Sequence, residues 1–281
     1  MGTLYVVATP IGNLSDLSAR AAETLRTVAV VFAEDTRVTQ KLLAHIGARP
    51  RLVGYHEDSP KSRLEEALTV LEEGDAALVT DAGTPGLSDP GAELVREAAA
   101  RGHRVVPVPG PSAVAALLSV SGLPAGRFLF LGFLPRTRSE RTKLLRSAAQ
   151  ETGTVVCFEA PHRLRDALED FGQVFGKRQM VVGRELTKLY EEVFRGTAEE
   201  ALLHFSEPRG EFVIAVEGAP ERTTEADDLE VTATLARLRE EGLSGRTLVE
   251  QAAAETGAPR SRVYRLSLQS GERGPTGRRA G

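Results

Sequence analysis

The chain has 281 residues, 41% hydrophobic and 26% charged, with a net charge of −4, the composition of a globular protein large enough for more than one core. Its apolar runs fall far short of the roughly 18 residues of a membrane span, no basic-then-apolar leader opens it, and Cys157, the one cysteine, excludes an internal disulfide framework and fits a reducing cytoplasm. The five histidines are scattered without a second ligand type at metal-site spacing, so no metal site is expected.

Strand-like runs at 3–8, 28–33, 51–54, 76–80 and 104–108 alternate with helix-like runs near 18–26, 37–46, 61–72 and 90–101. That alternation predicts βαβ units and a mostly parallel sheet. In the helix 61–72, Leu64, Ala67, Leu68 and Leu71 form one buried stripe. Three strands end in loops of Pro, Gly and small polar residues: Thr9–Leu14, Thr80–Gly91 and Pro109–Ala113. In an open α/β sheet such loops sit at the carboxyl ends of strands, where ligands bind. As sheet neighbours they converge on one rim; taken singly, each is an ordinary tight turn. Asp89 and Pro90 read as a helix start, a side-chain acceptor at the N-cap followed by a ring that lacks an N–H.

After a helix over 112–121 and Gly122-Leu123-Pro124 the pattern restarts. Strand-like runs at 128–133, 155–158, 180–183 and 212–217 alternate with helices near 139–150, 162–171 and 197–205, and Tyr190–Phe194 reads as an antiparallel strand. The economical fold class is α/β, with two α/β domains (1–120 and 121–218) separated by a cleft. A polar linker (219–228) then leads to a small helical tail domain (229–281) with helices at 229–241, 244–256 and 259–269, Ser244 being an N-cap candidate. The short turn Thr256–Ala258 before an Arg-rich helix resembles a helix-turn-helix; a helical cap is the alternative.

Charge is unevenly spread. Residues 258–281 carry six arginines against Glu272 alone, which leaves −9 on the remainder. A second basic cluster holds Arg136, Arg138, Arg141, Lys143 and Arg146. Each cluster is either a solvated helix face or a contact for a polyanion. In the second case Arg136, Arg138 and Arg141, with Arg260, Arg262 and Arg265 of the tail, are the candidate substrate contacts.

Six motifs occur in order: Leu4–Leu14 (Leu-Tyr-Val-Val-Ala-Thr-Pro-Ile-Gly-Asn-Leu), Ala33–Arg37 (Ala-Glu-Asp-Thr-Arg), Asp81–Pro85 (Asp-Ala-Gly-Thr-Pro), Pro109–Ala113, Pro161–Arg163 and Arg184–Lys188. On these the chain strongly resembles the ribosomal RNA small subunit methyltransferase I family, within the tetrapyrrole methylase superfamily. The resemblance implies an S-adenosylmethionine-dependent enzyme that 2′-O-methylates a decoding-centre cytidine of 16S ribosomal RNA. It also implies a cytoplasmic homodimer acting on 16S rRNA or the small ribosomal subunit, with no membrane partner. No Gly-x-Gly-x-x-Gly follows the first strand, so the Rossmann route to a nucleotide is absent and the cofactor comes from the resemblance alone. By the same analogy, cofactor contacts fall on Ile11, Asp81, Gly83, Thr84, Leu87, Ser112 and Ala113, and in the second domain on Phe158, Leu186 and Val216. One departure is local: Cys157-Phe158-Glu159-Ala160 stands where the family shows an aromatic residue, Tyr, Glu and Ser.

A ribose hydroxyl that attacks a methyl group must lose its proton, which calls for a carboxylate or imidazole. Asp35, just after the strand 28–33, is the first candidate, followed by Glu159, His162 and Glu185. Asp35 equally suits the N-cap of the helix 37–46. His162 competes with a capping role, and Glu185 with a loop-fixing pair to Lys188. Arg37 and Arg163 carry forked donors that suit phosphate or carboxylate clamps, or plain ion pairs. Two other functions stay open: a small-substrate methyltransferase of the same superfamily, and a non-catalytic RNA-binding factor of ribosome assembly.

Overall fold

The computed structural model describes residues 1–56, 59–220 and 228–269. Its first half runs β1 (Thr3–Val7), α1 (Ala19–Thr27), β2 (Val30–Ala33), α2 (Thr36–His45), β3 (Arg51–Gly54), α3 (Lys61–Glu73), β4 (Ala76–Val79), α4 (Ala92–Ala100) and β5 (Arg104–Val108). β2 and β4 are buried at every position, as strands covered on both faces must be. The sheet order is β3-β2-β4-β1-β5, parallel throughout. One face packs Leu4, Phe32 and Leu78 against Leu68, Leu71 and Leu94; the other packs Val7, Val31 and Val79 against Leu25 and Leu43. Because the strands share one direction, the chain leaves β1, β2, β4 and β5 along a single edge.

The expected helix start at Asp89–Pro90 does not form. α4 begins at Ala92, with Gly91 at the N-cap and no side-chain cap. Gly91 has φ 125, and a Cβ there would lie 2.6 Å from Leu78 Cδ2. The backbone must therefore pass close over β4 before the helix can begin, and Asp89 is left to face elsewhere.

α5 (Ala113–Ser121) leads into β6 (Phe128–Phe133), α6 (Arg138–Ala148), β7 (Thr154–Glu159), α7 (Leu164–Phe175), β8 (Met180–Arg184), β9 (Glu192–Gly196), α8 (Ala198–His204) and β10 (Phe212–Val216). This second sheet has the order β6-β7-β10-β8-β9, with β6 parallel to β7 and the other pairs antiparallel. The strand expected at 190–194 is β9, two residues further on. Along β10 the side chains alternate, Phe212, Ile214 and Val216 entering the core with Leu168 and Phe171, Val213 and Ala215 packing with Val114, Leu117 and Leu118 of α5.

Arg141, expected on an exposed basic face, is 3% exposed. Its Nε donates to Asp170 Oδ2 at 2.8 Å, and Arg138 Nε donates to Oδ1 of the same buried carboxylate at 3.0 Å. Arg141 therefore ties α6 to α7 and does not reach a substrate, while Arg136, Lys143 and Arg146 are exposed.

Met1–Ala219 and Pro220–Gly281 form two separate compact units. In the second, α9 (Asp228–Glu240), α10 (Gly245–Thr256) and α11 (Arg260–Gln269) enclose Val231, Leu235, Leu248, Ala252, Val263 and Leu266. Gly257, left-handed at φ 69, ends α10. Ser244 stands at the N-cap of α10 but makes no side-chain cap bond. Arg260 and Arg265 are exposed on α11, whereas Arg262 pairs with Asp228 at 2.8 Å. Most of the expected linker (221–227) and Arg273, Arg278 and Arg279 lie outside the described residues. Among the described residues no helix is long and apolar enough to cross a membrane.

Candidate active site

The loops after β1, β4 and β5 are fastened side by side. Thr9 N–H donates to the Gly83 carbonyl at 2.8 Å and Gly83 N–H donates back at 3.1 Å, while Ala8 N–H donates to the Val108 carbonyl at 3.1 Å. The Thr9 hydroxyl donates to the Thr80 carbonyl at 3.0 Å. In the second sheet, Phe212 at the start of β10 pairs with Glu159 and Arg184 at the ends of β7 and β8, so these three termini also share an edge. A Cβ on Gly12 would lie 2.4 Å from Lys188 Cγ. The first loop thus passes against residues 186–188 with no room for a side chain.

Between the two edges is a cavity of about 490 Å³. From the first half it is lined by Ile11, Asp81, Gly83, Thr84, Leu87, Ser112 and Ala113, and from the second by Phe158, Glu159 and Leu186. Val216 is not there. It sits at the far end of β10, paired with Val155, with its side chain in the core. The cavity meets β10 at its other end, at Phe212 and Val213.

Asp35, His162 and Glu185 lie outside the lining. Asp35 caps α2, accepting Arg37 N–H at 2.8 Å and the Arg37 guanidinium at 2.6 Å. The Arg37 side-chain and backbone bonds hold its carboxyl down to about 2, which makes it a weak proton acceptor. His162 is exposed in the 3-10 turn Pro161–Arg163. Glu185 Oε1 accepts from Lys188 Nζ and from Glu211 N–H, both at 2.9 Å; these bonds hold a loop in which Glu185 and Thr187 are left-handed (φ 50 and 68). Glu159 is buried, its Oε1 accepting Ala160 N–H at 2.8 Å and pairing with Arg163. Arg163 therefore clamps a carboxylate of its own chain. The other oxygen, Glu159 Oε2, is buried without a hydrogen-bond partner among the described residues.

Three further acids line the cavity: Glu34, Asp89 and Glu211. Asp81 N–H donates to Glu34 Oε2 at 3.3 Å, and Asp35 N–H to Asp81 Oδ1 at 3.0 Å. Burial raises the carboxyl pKa of Glu34 and of Asp81. Burial, with the charges of Glu34 and Asp81, pushes Asp89 up to about 7. The signal for Glu34 was its place in Ala33–Arg37; that for Asp89 was its place in the Gly-rich loop, obscured by Pro90.

Apolar walls from Ile11, Leu87, Ala113, Phe158 and Leu186, with carboxylates beside them, suit a flat base joined to a cationic group. The orphaned Glu159 Oε2 calls for a donor on that ligand, because a buried acceptor left unpaired is costly.

Residues 3–202 match the family model for Tetrapyrrole (Corrin/Porphyrin) Methylases. A ribosomal RNA small subunit methyltransferase I from Synechocystis sp. is 44% identical over 96% of this chain and 98% of that protein. One from Xylella fastidiosa is 46% identical over 94% and 98%. Among solved structures, the methyltransferase CobJ superposes with a TM-score of 0.60 at 19% identity, covering 78% of this chain and 95% of that one. Diphthine synthase gives 0.55 at 19% identity over 77% and 90%; at such identities the likeness is one of fold. The sequence relationship, in contrast, runs through both sheets and into the C-terminal helices, and on that extent the chain belongs to the ribosomal RNA small subunit methyltransferase I family of tetrapyrrole methylases.

Proposed function

We propose that the protein methylates the 2′-hydroxyl of a decoding-centre cytidine in 16S ribosomal RNA, acting in the cytoplasm as a homodimer on 16S rRNA or the small ribosomal subunit. The observation that carries this reading is the near-full-length relationship to proteins named for small-subunit rRNA methylation. The methyl donor of the family is S-adenosylmethionine, and the residues present fit it. The apolar walls suit an adenine, Glu34 and Asp81 suit a cation, and Glu159 Oε2 awaits a donor. When bound, that group supplies a methyl on a cationic sulfur, activated before the enzyme acts. The chain's own tasks are then to hold, to align and to deprotonate. The three fastened loops hold the donor, while Phe158, Leu186 and Val213 wall the cavity with apolar surface that excludes water.

Labelled-methyl transfer should be measured on small subunits, free 16S rRNA and a tetrapyrrole, with nuclease digestion and mass spectrometry of the product. The expected product is 2′-O-methylcytidine. Methylation of the tetrapyrrole alone would move the protein to the small-substrate branch.

The helical unit yields a separate expectation. Removing residues 227–281 leaves cofactor affinity within about two-fold, because every described residue that lines the cavity belongs to Met1–Ala219. RNA binding weakens, and its log–log salt slope falls by about 0.7–0.9 for each phosphate that the shortened protein leaves unneutralised. Unchanged affinity and slope in a filter-binding titration would leave the unit as a helical cap.

A further inference from the structure

We propose that Asp89 is the group that takes the proton from the ribose hydroxyl. The inference rests on the ribose-methylation reading above and names the acceptor that reading lacks. Among the described residues the cavity carries the carboxylates of Glu34, Asp81, Asp89, Glu159 and Glu211. Glu34 accepts Asp81 N–H, and Asp81 accepts Asp35 N–H. Glu159 pairs with Arg163, and Glu211 takes Lys188 Nζ at 3.0 Å. Asp89 has no hydrogen-bond or ion-pair partner among the described residues. Burial raises Glu34 and Asp81 as well, but the N–H that each accepts favours its ionised form and holds that rise back, whereas the unpartnered Asp89 keeps its lone pairs for an incoming proton.

The surroundings add to this. Asp89 is half-buried in the cavity that also holds Glu34, just beyond β2, and Asp81, just beyond β4, and burial together with these two charges lifts its carboxyl to about 7. His56 acts on Glu34, and no cation among the described residues acts on Asp89. A base near the working pH is ionised in a large fraction of molecules and still binds a proton well. The backbone is shaped for this placement: Ser88 is left-handed at φ 67, and the helix is postponed beyond Gly91. Independently, the buried and unpartnered Glu159 Oε2 indicates that a ligand with donor groups completes this cavity. The balance is that of methyl transfer from a sulfonium. An oxygen–carbon bond forms, the carbon–sulfur bond breaks with its electron pair left on sulfur, and the single proton released passes to Asp89 and then to solvent.

Carboxyl carbon NMR of wild type and Asp89→Asn locates the Asp89 signal and its titration without substrate. Single-turnover methylation of small subunits at saturating cofactor, from about pH 5 to 9, gives the rate profile, and calorimetry gives cofactor affinity. The expected results are an Asp89 titration near 7 and a wild-type rate that rises to that pH and levels. Asp89→Asn should bind cofactor as wild type does, turn over roughly 10²–10⁴-fold more slowly and lack that step. Folding raises the pKa of this group, so the stability it gives is lost as pH climbs from about 4 to 7. The asparagine variant therefore melts above wild type at about pH 8, with the gap closing toward about pH 4. A carboxyl titrating in the ordinary range, a variant rate within a few-fold of wild type, or a defect confined to cofactor affinity would overturn the assignment. A wild-type protein that methylates no ribose would overturn the substrate reading and the assignment with it; the titration and the melting gap, read without substrate, tell that failure apart from one of Asp89 itself.

Discussion

Asp170→Ala is expected to destabilise the second α/β half by about 3–5 kcal/mol, the usual cost of leaving a buried ion unpaired. Asp170 is fully buried and accepts from both Arg138 and Arg141. Arg138 can turn its exposed guanidinium to water, but Arg141, 3% exposed, cannot. Against a total stability of about 5–15 kcal/mol the loss is large. For a unit of this size it should lower Tm by about 6–20 °C, measured by calorimetry or urea unfolding. The double variant Asp170→Ala/Arg141→Met should recover most of the loss, because it removes the stranded charge as well as its partner. If Asp170→Ala melts within a degree or two of wild type, the pair is not the tie between α6 and α7.

Thr84→Trp is expected to abolish useful cofactor binding while the fold survives. Thr84 lines the cavity, with its hydroxyl 3.5 Å from the Pro111 carbonyl, so an indole at this position extends into the space between the loops. The expected loss is about 100-fold or more in Kd, or about 2.7 kcal/mol. A thermal shift gives an independent check. Ligand at 100 times the wild-type Kd stabilises wild type by about 2.7 kcal/mol, and the same ligand stabilises a variant weakened 100-fold by only about 0.4 kcal/mol. An unchanged shift would remove the Gly83–Gly86 loop from the site.

The features legible in the sequence were those that local chemistry decides. Loops of Pro, Gly and small residues at strand ends announced the rim, because only such residues allow three backbones to lie edge to edge. The features that failed depend on distant partners. Arg141 sits in a basic cluster by sequence, and the carboxylate that buries it lies 29 residues away on another helix. Asp89 satisfies the local rule for a cap, yet close packing of Gly91 on Leu78 delays the helix and frees the carboxylate. Val216 was placed at the wrong end of its strand. The run 212–217 does not reveal that it pairs antiparallel to both neighbours, and that pairing puts its beginning, not its end, at the cavity.

The order of strands in the second sheet also dictates how the protein can be made. β10 lies between β7 and β8 and bonds to both, yet it is the last of the five to be synthesised. Once Arg184 has emerged, two inner strand edges stand open until residues 212–216 follow. At translation rates of about 5–20 residues per second that exposure lasts roughly 2–6 s. Throughout it the nascent chain offers unpaired, apolar edges to any neighbouring polypeptide, the usual route to aggregation. A ribosome paused between residues 185 and 211 prolongs this hazard, whereas one paused well beyond 219 holds out a sheet already complete.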